Sequence, residues 1–258
     1  MATIKVDHSK MKLGKLLPVH DPRTLLLANY LTPALPPAPA QHYYATNIGA
    51  TAWGMMANDK IGDCTCAAAG HLIMEWTDDN NALFTPPDQD IINAYAAITG
   101  YNPVTGANDN GANETDVLNY WRKTGIASHQ IMAYAALEPQ NHNHIMQSVF
   151  LFGGCYIGLS LPVTAQTQTV WSVPPGGAKG KGAAGSWGGH AVPVIGYDSH
   201  GLTVITWGAT KKMTWSFWNA YCDESYAIIS PDFVGKQTAP SGFDLAALQA
   251  DLKEVVSK

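Results

Sequence analysis

The feature that most restricts this chain is a change of texture at Gly153-Gly154. Ahead of it, Cys64–Thr77 is a proline-free run of small and apolar residues that predicts a buried helix starting near Cys64, after a turn containing Gly62. Further helices are expected at about 88–99, 114–124 and 139–152. The third of these four opens with Glu114 and Asp116 and closes at Gly125, in keeping with dipole and C-cap preferences. Beyond the glycine pair, Cys155–Leu161, His190–Tyr197, Leu202–Thr206 and Tyr226–Ser230 are short apolar runs bounded by turn residues and read as strands. Helices first and strands second predict an α+β protein. A helical lobe at about 51–152 packs on an antiparallel β-sheet lobe at about 153–235, and the cleft between them is the default site.

Outside that core, residues 1–50 carry six prolines from Pro18 to Pro39 and one apolar stretch, Leu25–Leu31, long enough for a helical turn or two. The segment is expected to lie on the domain as an extended arm. A structural wrap is the favoured role, and an inhibitory pro-segment occluding the cleft is the other. Residues 236–258 form a tail or helix, and the glycine-rich stretch Pro174–Gly189 is a mobile loop leading into His190. Met213–Glu224 reads as a short amphipathic helix whose aromatics close the back of the sheet lobe.

The surface charge is too sparse, at 14% charged residues and a net charge of -5, to favour nucleic acid or acidic lipid, so neither nucleic acid nor membrane is expected as a partner. The first residues lack the apolar run of a signal peptide, which makes a cytoplasmic protein the expectation and leaves open delivery outside the cell without a cleaved signal. The four cysteines are not spaced as a disulfide scaffold and are expected to be mostly reduced.

Chemistry concentrates at Cys64 and His190. A thiol at a helix start sits at the positive end of the macrodipole, which favours the nucleophilic thiolate. Asp63 adds an opposing negative charge unless it turns away as a cap. His190 opens an apolar strand, from which an imidazole can face the helix tip across the cleft, take the thiol proton and later protonate a leaving group. Asn58, six residues before Cys64, is a candidate oxyanion donor together with the Cys64 backbone N–H.

These blocks, Gly62-Asp-Cys-Thr65, Gly188-Gly-His-Ala-Val-Pro-Val-Ile-Gly-Tyr197 and Thr206-Trp-Gly208, resemble in type and order the active-site blocks of papain-like cysteine peptidases over roughly 50–232. The resemblance implies a papain-like two-lobe fold and amide or peptide hydrolysis through a Cys64 acyl-enzyme, with no cofactor or metal and a peptide or protein substrate. It gives catalytic roles to Cys64, His190 and Asn58, and substrate contact to Gly189 and Trp207. The family's disulfide cysteine three residues before the nucleophile is Ile61 here, and the aromatic after it is Thr65. Where the family has the asparagine that orients the histidine, this chain has Thr206, whose hydroxyl is a weaker orienter. Asn219, Asp223 and Glu224 are alternative partners for His190. Bacteriocin-processing peptidases and transglutaminase-like enzymes share the Cys-then-His order, and a catalytically inactive peptide-binding module with this fold is the alternative function.

Other motifs carry less. Cys64, Cys66 and His71 do not have the paired spacing of a zinc site, and Cys66 and His71 are expected to pack. The Asn108–Glu114 segment lacks calcium-loop carboxylates, with Gly106 and Val117 in the first and last ligand positions. His142 and His144 are expected to be solvated.

Overall fold

The computed structural model describes residues 7–19, 21–22, 24–31, 35–234 and 243–256. The expected helices form as α1 (Cys64–Asp79), α2 (Asp88–Thr99), α3 (Glu114–Lys123) and α4 (His142–Phe152). Helices α2 and α4 end on glycines, Gly100 and Gly153, at φ +77 and +73, the left-handed conformation that stops a helix at little steric cost. A short α5 (Trp215–Tyr221) appears inside the predicted amphipathic stretch, capped by the Thr214 hydroxyl, which accepts from the Phe217 N–H at 3.1 Å. Two more helices follow, α6 (Pro231–Val234) and α7 (Leu245–Val256). The latter lies in the expected tail, of which residues 235–242 are outside the described ones.

Eight strands make the sheet: β1 (His42–Tyr43), β2 (Ala133–Ala136), β3 (Cys155–Leu161), β4 (Val170–Trp171), β5 (Gly188–Asp198), β6 (Gly201–Thr206), β7 (Ala209–Thr214) and β8 (Cys222–Ile229). Their order is β2-β8-β3-β5-β6-β7-β4, with β1 paired to β5. The pairs are antiparallel except β4 with β7, which corrects the all-antiparallel expectation at one edge. Strands β3 and β5, buried on both faces, carry uninterrupted apolar runs. The start of β5 falls inside the stretch expected to be a loop, and a 3-10 turn at Gly180–Gly182 orders part of the remainder.

Two cores lie on opposite faces of the sheet. One packs α1, α2 and α3 through Leu72, Ile73, Trp76, Ile91, Val117 and Trp121 against Tyr156, Ile195 and Ile228. The other gathers Val149, Phe152, Leu159, Val192, Val204 and Phe217. Helix α4 therefore belongs with the sheet's far core, and the boundary between helical and sheet lobes falls before α4 instead of near residue 152. Among the described residues no helix is long and apolar enough to cross a membrane. The four cysteines are free thiols.

Candidate active site

Helix α1 begins at Cys64 because the turn before it is held from outside. The Gly62 N–H donates to Asp109 Oδ1 at 2.9 Å, and the Tyr95 hydroxyl donates to the same oxygen at 2.9 Å while accepting from the Gly111 N–H at 2.8 Å. The Asp63 carbonyl then accepts from the Cys66 and Ala67 amides and starts the helix. The Asp63 side chain makes no capping bond, so it does not turn away as a cap. It is fully buried, and burial pushes its carboxyl well above the usual range, which suppresses the negative charge expected beside the thiol.

Cys64 faces β5. Its sulfur accepts from the Ala191 N–H at 3.4 Å and from the backbone of Gly14, so the residue after His190 lies directly on the thiol. His190 is buried, with Nε2 2.8 Å from Thr206 Oγ1 and Nδ1 without a hydrogen-bond partner among the described residues. Trp207 stacks on the imidazole at 4.5 Å between centroids and 18° between planes. The Trp207-Gly208 pair is a two-residue hairpin loop joining Thr206 to Ala209, both residues at positive φ (+45 and +76), as hairpin twist demands. That turn aims the indole at His190. Of the alternative partners for His190, Asn219 Oδ1 contacts His142 and the two acids are engaged by Lys15, so none is assigned to the imidazole. Asn58 is buried six residues before Cys64, and its Nδ2 donates to the Ile61 carbonyl at 3.2 Å. His71 packs as expected, its Nε2 3.0 Å from the Gly54 carbonyl oxygen and its ring edge-on to Trp53. His142 stacks on Trp215 and His144 is buried, so neither is simply solvated.

The arm follows the second of its two expected courses, over the cleft, and not the favoured structural wrap. Residues 8–16 do not wrap the outside of the molecule; they run through the cleft. The His8 ring contacts Trp207 at 4.8 Å, and the Trp207 Nε1–H donates to the Lys12 carbonyl at 3.2 Å. The Ala112 N–H donates to the Gly14 carbonyl at 2.8 Å, the Lys15 N–H to the Gly189 carbonyl at 3.1 Å, and the Leu16 N–H to the Ala112 carbonyl at 3.0 Å. Gly14 passes so close to the nucleophile turn that a Cβ on it would sit 1.7 Å from the Gly62 carbonyl oxygen. Gly189 and Trp207, the expected substrate contacts, are thus occupied by the chain's own arm.

Covered in this way, Cys64 is 1% exposed, and burial pushes its thiol up to about 12 in spite of the two amides donating to it. Burial pulls His190 down to about 3, with His8 and His71 adding to the effect. Thiol and imidazole are both neutral at neutral pH in this arrangement.

No protein-family model and no curated protein sequence matches this chain significantly. Solved structures do. Xylellain, a cysteine protease from Xylella fastidiosa, superposes with a TM-score of 0.63 at 16% identity, covering 89% of this chain and 99% of the other. Digestive procathepsin L 3 of Tenebrio molitor larval midgut gives 0.54 at 11% identity over 84% of this chain and 76% of its own. A Carica candamarcensis cysteine protease in complex with E-64 gives 0.53 at 11% identity over 74% and 99%. With a cysteine opening a helix that packs on the histidine-bearing strand, its sulfur on the amide that follows His190, this chain has the papain-like cysteine protease fold.

Proposed function

We propose that this chain is a cysteine peptidase or amidase held in a latent form by its own arm. The observation that carries the reading is the placement of β5 on the thiol, through the Ala191 amide, with the neighbouring His190 fixed at Nε2 by Thr206 and, among the described residues, unpartnered at Nδ1. In the open enzyme the Cys64 proton passes to His190 Nδ1, and the thiolate attacks the substrate carbonyl carbon. The oxyanion accepts from the Cys64 amide and from the Asn58 side-chain amide, which in the closed form is engaged with the Ile61 carbonyl and the Asp63 carboxyl. Collapse breaks the C–N bond as the imidazolium protonates the leaving amine. Water, deprotonated by the same imidazole, then attacks the thioester and releases the acid and the free thiol. The Trp207 ring shields the His190–Thr206 hydrogen bond from water. Thr206 supports this reading over an inactive peptide-binding module, because it occupies the orienting position with a group able to hold the imidazole.

The test uses the full-length chain carrying Gly14→Ala, which lifts the arm from Gly62 and withdraws the Gly14 amide from the Cys64 sulfur while leaving the Cys64 and His190 side chains in place. Peptide cleavage is expected, with Cys64→Ala in the same background lowering kcat/KM by about 10⁴-fold or more. Equal turnover with and without the Cys64 sulfur refutes the assignment.

A further inference from the structure

The side chain that follows Gly14 enters a pocket of unusual charge. Lys15 Nζ, 1% exposed, ion-pairs with Asp223 Oδ1 at 2.9 Å and Glu224 Oε1 at 3.0 Å and donates to the Leu16 carbonyl at 3.1 Å. A third acid, Glu114 at the start of α3, is fully buried with neither oxygen hydrogen-bonded among the described residues. One ammonium thus sits among three carboxyl groups. Burial alone would lower the Lys15 pKa, yet Glu114, Glu224 and Asp223 together leave it raised.

The pocket is shaped by the body of the protein, independently of the arm. The Ser160 hydroxyl donates to Asp223 Oδ2 at 2.7 Å and the Tyr226 hydroxyl to Glu224 Oε2 at 2.9 Å, so strands β3 and β8 fix each carboxylate by one oxygen and present the other to the cleft. Gly158 forms part of the wall, and a Cβ there would sit 2.0 Å from Lys15 Cε. An arm needing only an anchor has no use for acids pre-oriented by the sheet. The pocket is also adjacent to the reacting groups, because the Lys15 amide is bonded to Gly189, next to His190, while Gly14 lies on Cys64.

We propose that the Gly158–Asp223–Glu224–Glu114 pocket is the specificity subsite of the enzyme, selecting substrates with a lysine or arginine side chain beside the scissile bond, and that Lys15 fills it as a pseudo-substrate. This rests on the peptidase reading for its catalytic part and on the pocket geometry for its binding part.

The two parts separate experimentally. In full-length Lys15→Ala, n-propylammonium, which has the length of the deleted Cγ–Nζ segment, is expected to raise the thermal midpoint saturably while n-propanol does not. Adding Glu224→Gln should remove the effect. If Lys15→Ala folds poorly, its refolding yield in the amine against the alcohol reads the same selectivity. The same variant is expected to cleave peptides bearing lysine or arginine at least roughly tenfold faster in kcat/KM than peptides bearing norleucine. Equal rescue by amine and alcohol, or equal cleavage of lysine and norleucine peptides, overturns the proposal. Amine-selective rescue with no peptide cleaved overturns the Cys64 hydrolase reading and upholds the pocket's choice of a cation.

Discussion

Two polar regions lie under the same stretch of arm, and burial has opposite results in them. At Cys64 and His190 it extinguishes charge: the thiol is pushed up to about 12 and the imidazole down to about 3. At Lys15 charge survives, because the acids around the ammonium outweigh the cost of burying it. The lesson is that a desolvated pair is poised only if each member's charge is answered within the site. In the proposed open enzyme, water and substrate supply that answer at Cys64 and His190, whereas the acidic pocket provides its own.

The widest separation between the two regions should appear in cysteine alkylation. In the wild-type chain the rate at Cys64 is expected to climb about tenfold per pH unit from pH 7 to pH 10, about a thousandfold in all, because a thiol pKa raised to about 12 keeps the thiolate scarce until high pH. Cys222, the one cysteine with partial exposure, should be modified first, although burial raises its thiol as well. A flat profile at Cys64, mapped by mass spectrometry, breaks the contrast.

A smaller effect comes from lifting the arm at one residue. Gly14→Ala drives a methyl into the Gly62 carbonyl, and overpacking of about 1–3 kcal/mol corresponds to a rise of about 5- to 150-fold in Cys64 alkylation at pH 7. No change at all indicates an arm that is not seated on the nucleophile. Smallest is the contribution of Thr206. In the Gly14→Ala background, Thr206→Val should reduce kcat/KM by about two- to tenfold, and Thr206→Asn should retain or improve it, since one hydrogen bond orienting an imidazole is worth about 0.5–1.5 kcal/mol. An unchanged Thr206→Val enzyme means that Trp207 stacking alone holds the ring.

Much of the scaffold was legible in the sequence because local signals agreed with the tertiary fold. The glycines at 100 and 153 stop helices where the apolar period ends, and β3, β5 and β6 are apolar runs bounded by turn residues. Strand β7 was missed because Lys211-Lys212 hides its alternation: Lys211 is buried with its ammonium over Trp171, and burial lowers it to about 8, while Lys212 points to solvent. The signal that should have revealed β7 is Trp207-Gly208, a two-residue hairpin loop directly after a strand. Cys64 and His190, the proposed catalytic pair, were visible as residue types in order. The course of the arm was not, because it depends on pairings across most of the chain: Gly14 against Gly62 and Ala112, and Lys15 against acids more than 200 residues away. Within the sequence, Gly14-Lys15 and Asp223-Glu224 are complementary only once the sheet has formed.

The bonds through Asp109 and Tyr95 bear on how such an enzyme would open. They splice the turn that carries the nucleophile to the Gly111 segment, whose neighbour Ala112 grips the arm from both sides. Socket and thiol are thereby parts of one rigid fitting. On the proposed peptidase reading, opening is withdrawal of residues 8–16, and a peptide that copies their backbone bonds to Ala112 and Gly189 meets a sulfur already aligned to it.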